Sequence, residues 1–170
     1  MNINISNVII CALRNHIQHY NHDKYWKMRS EVVNSNSKVL KLIRLYYLFR
    51  IKRMDAFNNA SMGTDLGFGA SFASPPLLMH GLYGIIISHL ARIGKNCTIH
   101  HQVTIAYGKD KRAATIGDNC LIGTGAKIIG DVTIGNNVKI GANAVVVKNI
   151  PDNCTAVGVP AHIIKRKHSI

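Results

Sequence analysis

Four of the chain's nine histidines lie between positions 80 and 101: His80, His89, His100 and His101. An imidazole titrates near neutral pH, so it can take a proton from, or give one to, a reacting group. One carboxylate, Asp65, precedes His80 by fifteen residues. A carboxylate beside an imidazole holds its tautomer and stabilises the imidazolium, but Asp65 also fits a plain turn in Gly63-Thr64-Asp65. The element that carries these side chains decides whether they meet.

That element announces itself by a six-residue clock. Ile87, Ile93, Ile99 and Ile105 keep it and, after an eleven-residue step, so do Ile116, Ile122, Ile128, Ile134, Ile140 and Val146. Neither an amphipathic helix nor a two-sided strand repeats its apolar residue every six positions. Four residues after most of these comes a small or medium side chain: Cys97, Val103, Cys120, Ala126, Val132, Val138, Ala144. Gly and Asn between them suit tight corners, so each hexad can be a short strand plus a corner. Three hexads then close one coil and place residue i under i+18, with an aliphatic ladder inside a prism.

Leu66, Phe72 and Leu78 extend the clock backwards, and three extra residues around Gly81 to Gly84 delay the next beat to Ile87. Counting coils across that insertion sets His80 one rung from His101, both at an outward corner. Between Ile105 and Ile116 about five extra residues, within 106–115 and including Tyr107-Gly108-Lys109-Asp110-Lys111-Arg112, must leave the prism as a loop. Loops on a rigid scaffold are where substrates are usually handled.

The stretch from 5 to 56 reads as helical, with Asp23 as a cap, a break at Asn34-Ser35-Asn36-Ser37, and a second helix from Lys38 to Arg53. The organisation expected is an N-terminal helical segment (1–60), a solenoid (61–163) and a basic tail (164–170). Residues 38–53 mix Leu, Ile, Tyr and Phe with Lys and Arg. They can pack on the first coil or a sister subunit, or rest on an anionic membrane.

The formal net charge is +13, but no helix-turn-helix, zinc-finger or RNA-binding signature accompanies it, so no nucleic-acid partner is expected. Phosphates of a small molecule or an acidic membrane surface account for the charge as well. Cys11, Cys97, Cys120 and Cys154 form no CxxC pair, and no secretion signal or spanning segment is read, which together suggest a reducing cytoplasm.

The repeat, as in Ile116-Gly117-Asp118-Asn119-Cys120-Leu121, resembles the left-handed parallel β-helix of hexapeptide-repeat acyltransferases over about residues 65 to 163. The resemblance implies a mainly β solenoid, a homotrimer and acetyl-coenzyme A as donor, with no metal. The segment Met79-His80-Gly81-Leu82-Tyr83-Gly84-Ile85 is similar to the His-containing segment of serine acetyltransferases and of capsule and exopolysaccharide O-acetyltransferases. On that likeness His80 is the general base, Asp65 its orienting carboxylate and His101 a helper.

The donor side is carried by Ile122-Gly123-Thr124-Gly125-Ala126, Ile140-Gly141-Ala142 and Gly158-Val159-Pro160, which resemble the family's coenzyme A groove. This implies coenzyme A contacts at Gly123, Ala126, Gly141, Ala142, Gly158 and Pro160, with Lys165 and Arg166 meeting its phosphates. Two features depart from serine acetyltransferases. Met79 stands where they have an Asp that binds the amino acid's ammonium, and Arg112-Ala113-Ala114-Thr115 replaces their Arg-His-Pro-Lys. The departures favour a sugar hydroxyl of surface-polysaccharide biosynthesis as acceptor, with L-serine as the alternative. A γ-type carbonic anhydrase, binding zinc through His80, His100 and His101, is the reading from another class.

Overall fold

The computed structural model describes residues 12, 13 and 15–164. Cys11, Lys165 and Arg166 lie outside the described residues. Helix α1 (His22–Val33) and helix α2 (Lys41–Phe57) precede a parallel β-prism. The cap of α1 is Asn21, whose side chain accepts from Lys24 N, and Asp23 sits in the first turn instead. The break at 34–37 is where it was expected, but α2 starts three residues later than Lys38 and runs four beyond Arg53.

The prism has three faces. Ser71–Phe72, Arg92–Ile93, Thr115–Ile116 and Thr133–Ile134 stack as the first. Leu77–Leu82, Thr98–Ile99, Leu121–Ile122, Lys139–Ile140 and Thr155–Val157 form the second, while Ile86–Ile87, Thr104–Ala106, Lys127–Ile129 and Val145–Val146 form the third. The register confirms the coil count. Ile122 lies on Ile140, a step of eighteen. Ile99 lies on Ile122 across the loop, and Leu78 on Ile99 across the three-residue insertion. In the last coil Ile140 pairs with Ala156, so that coil is two residues short.

All ten residues of the clock are buried, as are Cys97, Val103, Cys120, Ala126, Val132, Val138 and Ala144. Each fully buried Ile contributes about 1.5–3 kcal/mol, so this ladder is the main source of the prism's stability. Leu66 is the exception to the pattern. It sits in the turn of an antiparallel hairpin, β1 (Thr64–Asp65) with β2 (Phe68–Gly69), and holds no rung of a coil. The hairpin instead hydrogen-bonds to helix α1 through Gly67 N to Val32 O. At the other end His162–Ile164 turns back antiparallel on Thr155–Val157, so the closing strand runs one residue past the expected boundary.

The helices cap the first coil through buried polar groups. Arg29 donates to Ala70 O at 2.7 Å, to Met62 O at 3.1 Å and to Thr64 Oγ1 at 3.0 Å. Its guanidinium lies 4.7 Å from the ring of Phe72, the foot of the first-face ladder. Asp55 of α2 is also buried and accepts from the Tyr25 hydroxyl at 2.7 Å. Burial pushes its carboxyl up to about 6 and draws the Arg29 guanidinium down to about 10.

Three edges join the faces. On the edge between the first and second faces, Asp118 Oδ1 accepts from Lys95 N, Asn136 Oδ1 from Asp118 N and Asp152 Oδ1 from Asn136 N. Asn96, Asn119, Asn137 and Asn153 there take left-handed φ values of 53° to 57°. The glycine after the inward Ile serves a different need from positive φ. A Cβ at Gly117 would stand 2.7 Å from Asn136 Oδ1, and one at Gly94 would collide with Asp118 Oδ1. The Ile-Gly dipeptide therefore makes room for the next coil's carboxylate or amide.

Candidate active site

The edge between the second and third faces carries the histidines. Adding two to the register Leu78, Ile99, Ile122, Ile140, Ala156 gives one column: His80, His101, Thr124, Ala142, Gly158. The imidazoles of His80 and His101 touch edge to face, with ring centroids 4.8 Å apart. His80 is exposed, while His101 is half-buried. His101 Nδ1 is buried and, among the described residues, has no hydrogen-bond partner. The Tyr83 ring lies 6.5 Å from His101.

The backbone of this edge is satisfied coil to coil, with Gly125 N donating to His101 O at 3.0 Å and Asn143 N to Thr124 O at 2.8 Å. An open recess of about 330 Å³ runs beside it, lined by Asn59, Tyr83, Gly84, Gln102, Gly125, Lys127 and Asn143. Gln102 holds φ 59°, a left-handed conformation that Gly or Asn adopts far more readily. Its carbonyl accepts from Lys127 Nζ at 2.7 Å. The six-residue clock points to none of Tyr83, Gln102 or Asn143. The signal available was the left-handed corner position itself, where Gln102 replaces the usual Asn.

The predicted coenzyme A contacts divide into two kinds. Gly141, Ala142, Gly158 and Pro160 lie on this edge with at least part of their surface open. Gly123 is buried, and a Cβ there would stand 2.7 Å from Ala142 N, so its bareness is required by coil stacking. Ala126 points into the prism core and is fully buried. It can contribute backbone only.

Asp65 is placed elsewhere. It lies at the edge between the third and first faces, in a recess of about 240 Å³ with Lys52, Ser88, His89 and Tyr107. Its carboxylate pairs with Lys52 Nζ at 3.7 Å. Within one chain, among the described residues, no hydrogen bond or ion pair joins it to His80. The extruded loop leaves from this same edge: the strands stop at Ala106 and resume at Thr115, and Arg112 pairs with Asp131 at 2.8 Å. For the zinc reading no ligand set is found, since no three His, Cys, Asp or Glu among the described residues are grouped to hold a metal ion.

Similarity to known proteins follows the same geometry. The family pattern described as bacterial transferase hexapeptide (six repeats) matches residues 113–148. A serine acetyltransferase of Staphylococcus xylosus is 44% identical over 107 residues, covering 61% of this chain and 49% of the relative. One from Bacillus pumilus is 37% identical over 124 residues, covering 71% of this chain and 56% of its own length. Among solved structures, the serine acetyltransferase of Brucella abortus in complex with coenzyme A superposes with a TM-score of 0.63 at 30% identity, covering 73% of this chain and 49% of that one. The chain thus spans about half the length of the relatives it matches.

Proposed function

Because the chain belongs to the hexapeptide-repeat acyltransferases of left-handed β-helix fold, we propose that it is an acetyl-coenzyme A-dependent O-acetyltransferase with L-serine as acceptor. The observation that carries this reading is the single column in which the imidazole pair continues into Thr124, Ala142 and Gly158. In this reading the imidazole pair receives the hydroxyl and the small-residue edge beside it receives the thioester. Support for the donor comes from relatives solved with coenzyme A. Support for the acceptor comes from the serine acetyltransferases that match at 37–44% identity.

In this mechanism the hydroxyl oxygen attacks the thioester carbonyl while His80 takes its proton. The tetrahedral centre collapses, the carbon–sulfur bond breaks, and the proton held by His80 goes to the departing thiolate. No acyl-enzyme forms. His101, packed edge-on against His80, sets the ring's position and offers a second polar group to the acceptor. The electrostatic gain is largest when a second wall excludes water from this exposed edge. A homotrimer would supply such a wall, and in it Asp65 of one copy would orient His80 of another.

A specific observation favours a second acceptor, a sugar hydroxyl of surface-polysaccharide biosynthesis. Met79 offers no charge for an ammonium, and Ala113 and Ala114, which stand where the family resemblance would put a His and a Pro, are buried and offer no side-chain hydrogen bond. The test is thiol release from acetyl-coenzyme A with L-serine and with a panel of sugars, beside His80→Ala. Turnover with L-serine that His80→Ala abolishes supports the primary reading. Turnover with sugars alone transfers it to the second. No coenzyme A binding by the folded protein overturns both.

A further inference from the structure

Helix α2 has two apolar sides. At about 100° per residue, Ile51, Tyr47, Leu48 and Asp55 face the α1 side and the prism, where Ile51 and Asp55 are buried. On the opposite side Leu42 is 80% exposed, Phe49 60%, Tyr46 54% and Leu45 41%. This stripe has cations along it: Arg53 lies in line with Leu42, Tyr46 and Phe49, Lys41 and Lys52 flank one side, and Arg50 flanks the other. Arg50 folds over the Tyr46 ring at 5.9 Å and donates to its hydroxyl at 3.1 Å. The only acid of the helix, Asp55, is on the buried side.

We propose that the outer side of α2 docks on an anionic lipid surface, lying in the interfacial plane with Leu42, Leu45, Tyr46 and Phe49 inserted among the lipids. The charge decides the occupant. A second copy would bring like charges onto Lys41, Arg50 and Arg53 in a chain already at +13, whereas acidic headgroups satisfy the cations as the apolar stripe leaves water. No helix among the described residues is long and apolar enough to cross a membrane, and the proposed contact lies in the interface rather than through the bilayer. The proposal is independent of the acetyl acceptor.

The test is sedimentation of the full chain with vesicles of phosphatidylcholine alone and of phosphatidylcholine with 30% phosphatidylglycerol. The expected result is binding to the anionic vesicles only, weakening as salt is raised. The double variant Leu42→Ser/Phe49→Ser keeps every charge, and it is expected to bind anionic vesicles at least roughly tenfold more weakly with an unchanged melting temperature. Unaltered binding by that variant would mean non-specific adsorption of a cationic protein and would overturn the proposal. So would failure to bind, equal binding to neutral vesicles, or a wild-type self-association that the double variant abolishes.

Discussion

Two edges of one prism are built on the same backbone and serve opposite ends. The edge through Asp118, Asn136 and Asp152 binds its own side chains: each acid or amide caps the coil before it, and Asn137 adds a 3.0 Å bond to Asn153. The edge through His80, His101, Thr124, Ala142 and Gly158 has equally regular backbone bonds. Its side chains are small, or leave a polar atom such as His101 Nδ1 without a partner. Identical coils therefore make a self-satisfied edge where Asp118, Asn136 and Asp152 cap the neighbouring coil, and a receptive one where His80, His101, Thr124, Ala142 and Gly158 do not. Buried polar groups are normally paired, so the unpaired edge is the one with capacity for a ligand.

The largest effect should come from breaking what both edges share. Ile134→Asp puts a carboxylate into the aliphatic ladder without a partner, at a cost of at least several kcal/mol, and should abolish the cooperative melt seen by circular dichroism. Wild-type melting would show that the ladder is not the common support.

Next is the receptive edge. His80→Ala should lower turnover by about 100- to 10,000-fold while leaving coenzyme A binding by calorimetry nearly unchanged. His101→Ala should cost less, because a neighbouring ring positions rather than accepts the proton. If His101→Ala were inactive and His80→Ala active, the base would sit one rung along the same column.

The helical plug belongs to neither edge and titrates. Asp55 is raised from an ordinary 3.8 to about 6, so the fold holds its proton more tightly than the unfolded chain does. Its contribution is full below about pH 4, falls as pH rises towards 6 and is flat above, a change on the order of 3 kcal/mol. Denaturant unfolding at pH 4.5 and 7 should show this difference shrinking in Asp55→Asn. Parallel profiles for the two proteins would contradict the buried carboxyl.

The smallest effect sharpens the contrast. Asn136→Ala removes the acceptor for Asp118 N and should cost roughly 1 kcal/mol of stability with no change in kcat. A loss of turnover would mean that the self-satisfied edge also takes part in the reaction.

The solenoid was legible because its signal is periodic and local. Ile at every sixth position, Gly beside it and Asn at the corner each answer a constraint imposed by the nearest coil. Counting alone also put His80 against His101. Leu66 misled because an apolar residue on the beat looks the same in a coil and in a hairpin turn, and the antiparallel pairing of its flanks with the bond from Gly67 to Val32 separates them. Ala126 carries both readings at once: it fills the inward slot of its hexad, as its spacing from Ile122 requires, and so offers the groove its backbone only. The family resemblance paired Asp65 with His80; within one chain fifteen residues along a three-faced prism end on different edges, so that pairing needs a second copy.

By itself the sequence determined the period, the inward ladder, the places where residues had to leave the prism and the stacking of His80 on His101. These depend on contacts between a residue and its equivalent one coil away, and such contacts write themselves into regular spacing. The tertiary structure alone decided that Arg29 and Asp55 are buried, that Asp65 pairs with Lys52, that His101 Nδ1 is left unpartnered and that α2 exposes an apolar side ringed by cations. Except for His101, which lies on the repeating edge itself, those outcomes arise where non-repeating helices meet the prism, and no period constrains which side of a helix finds the core.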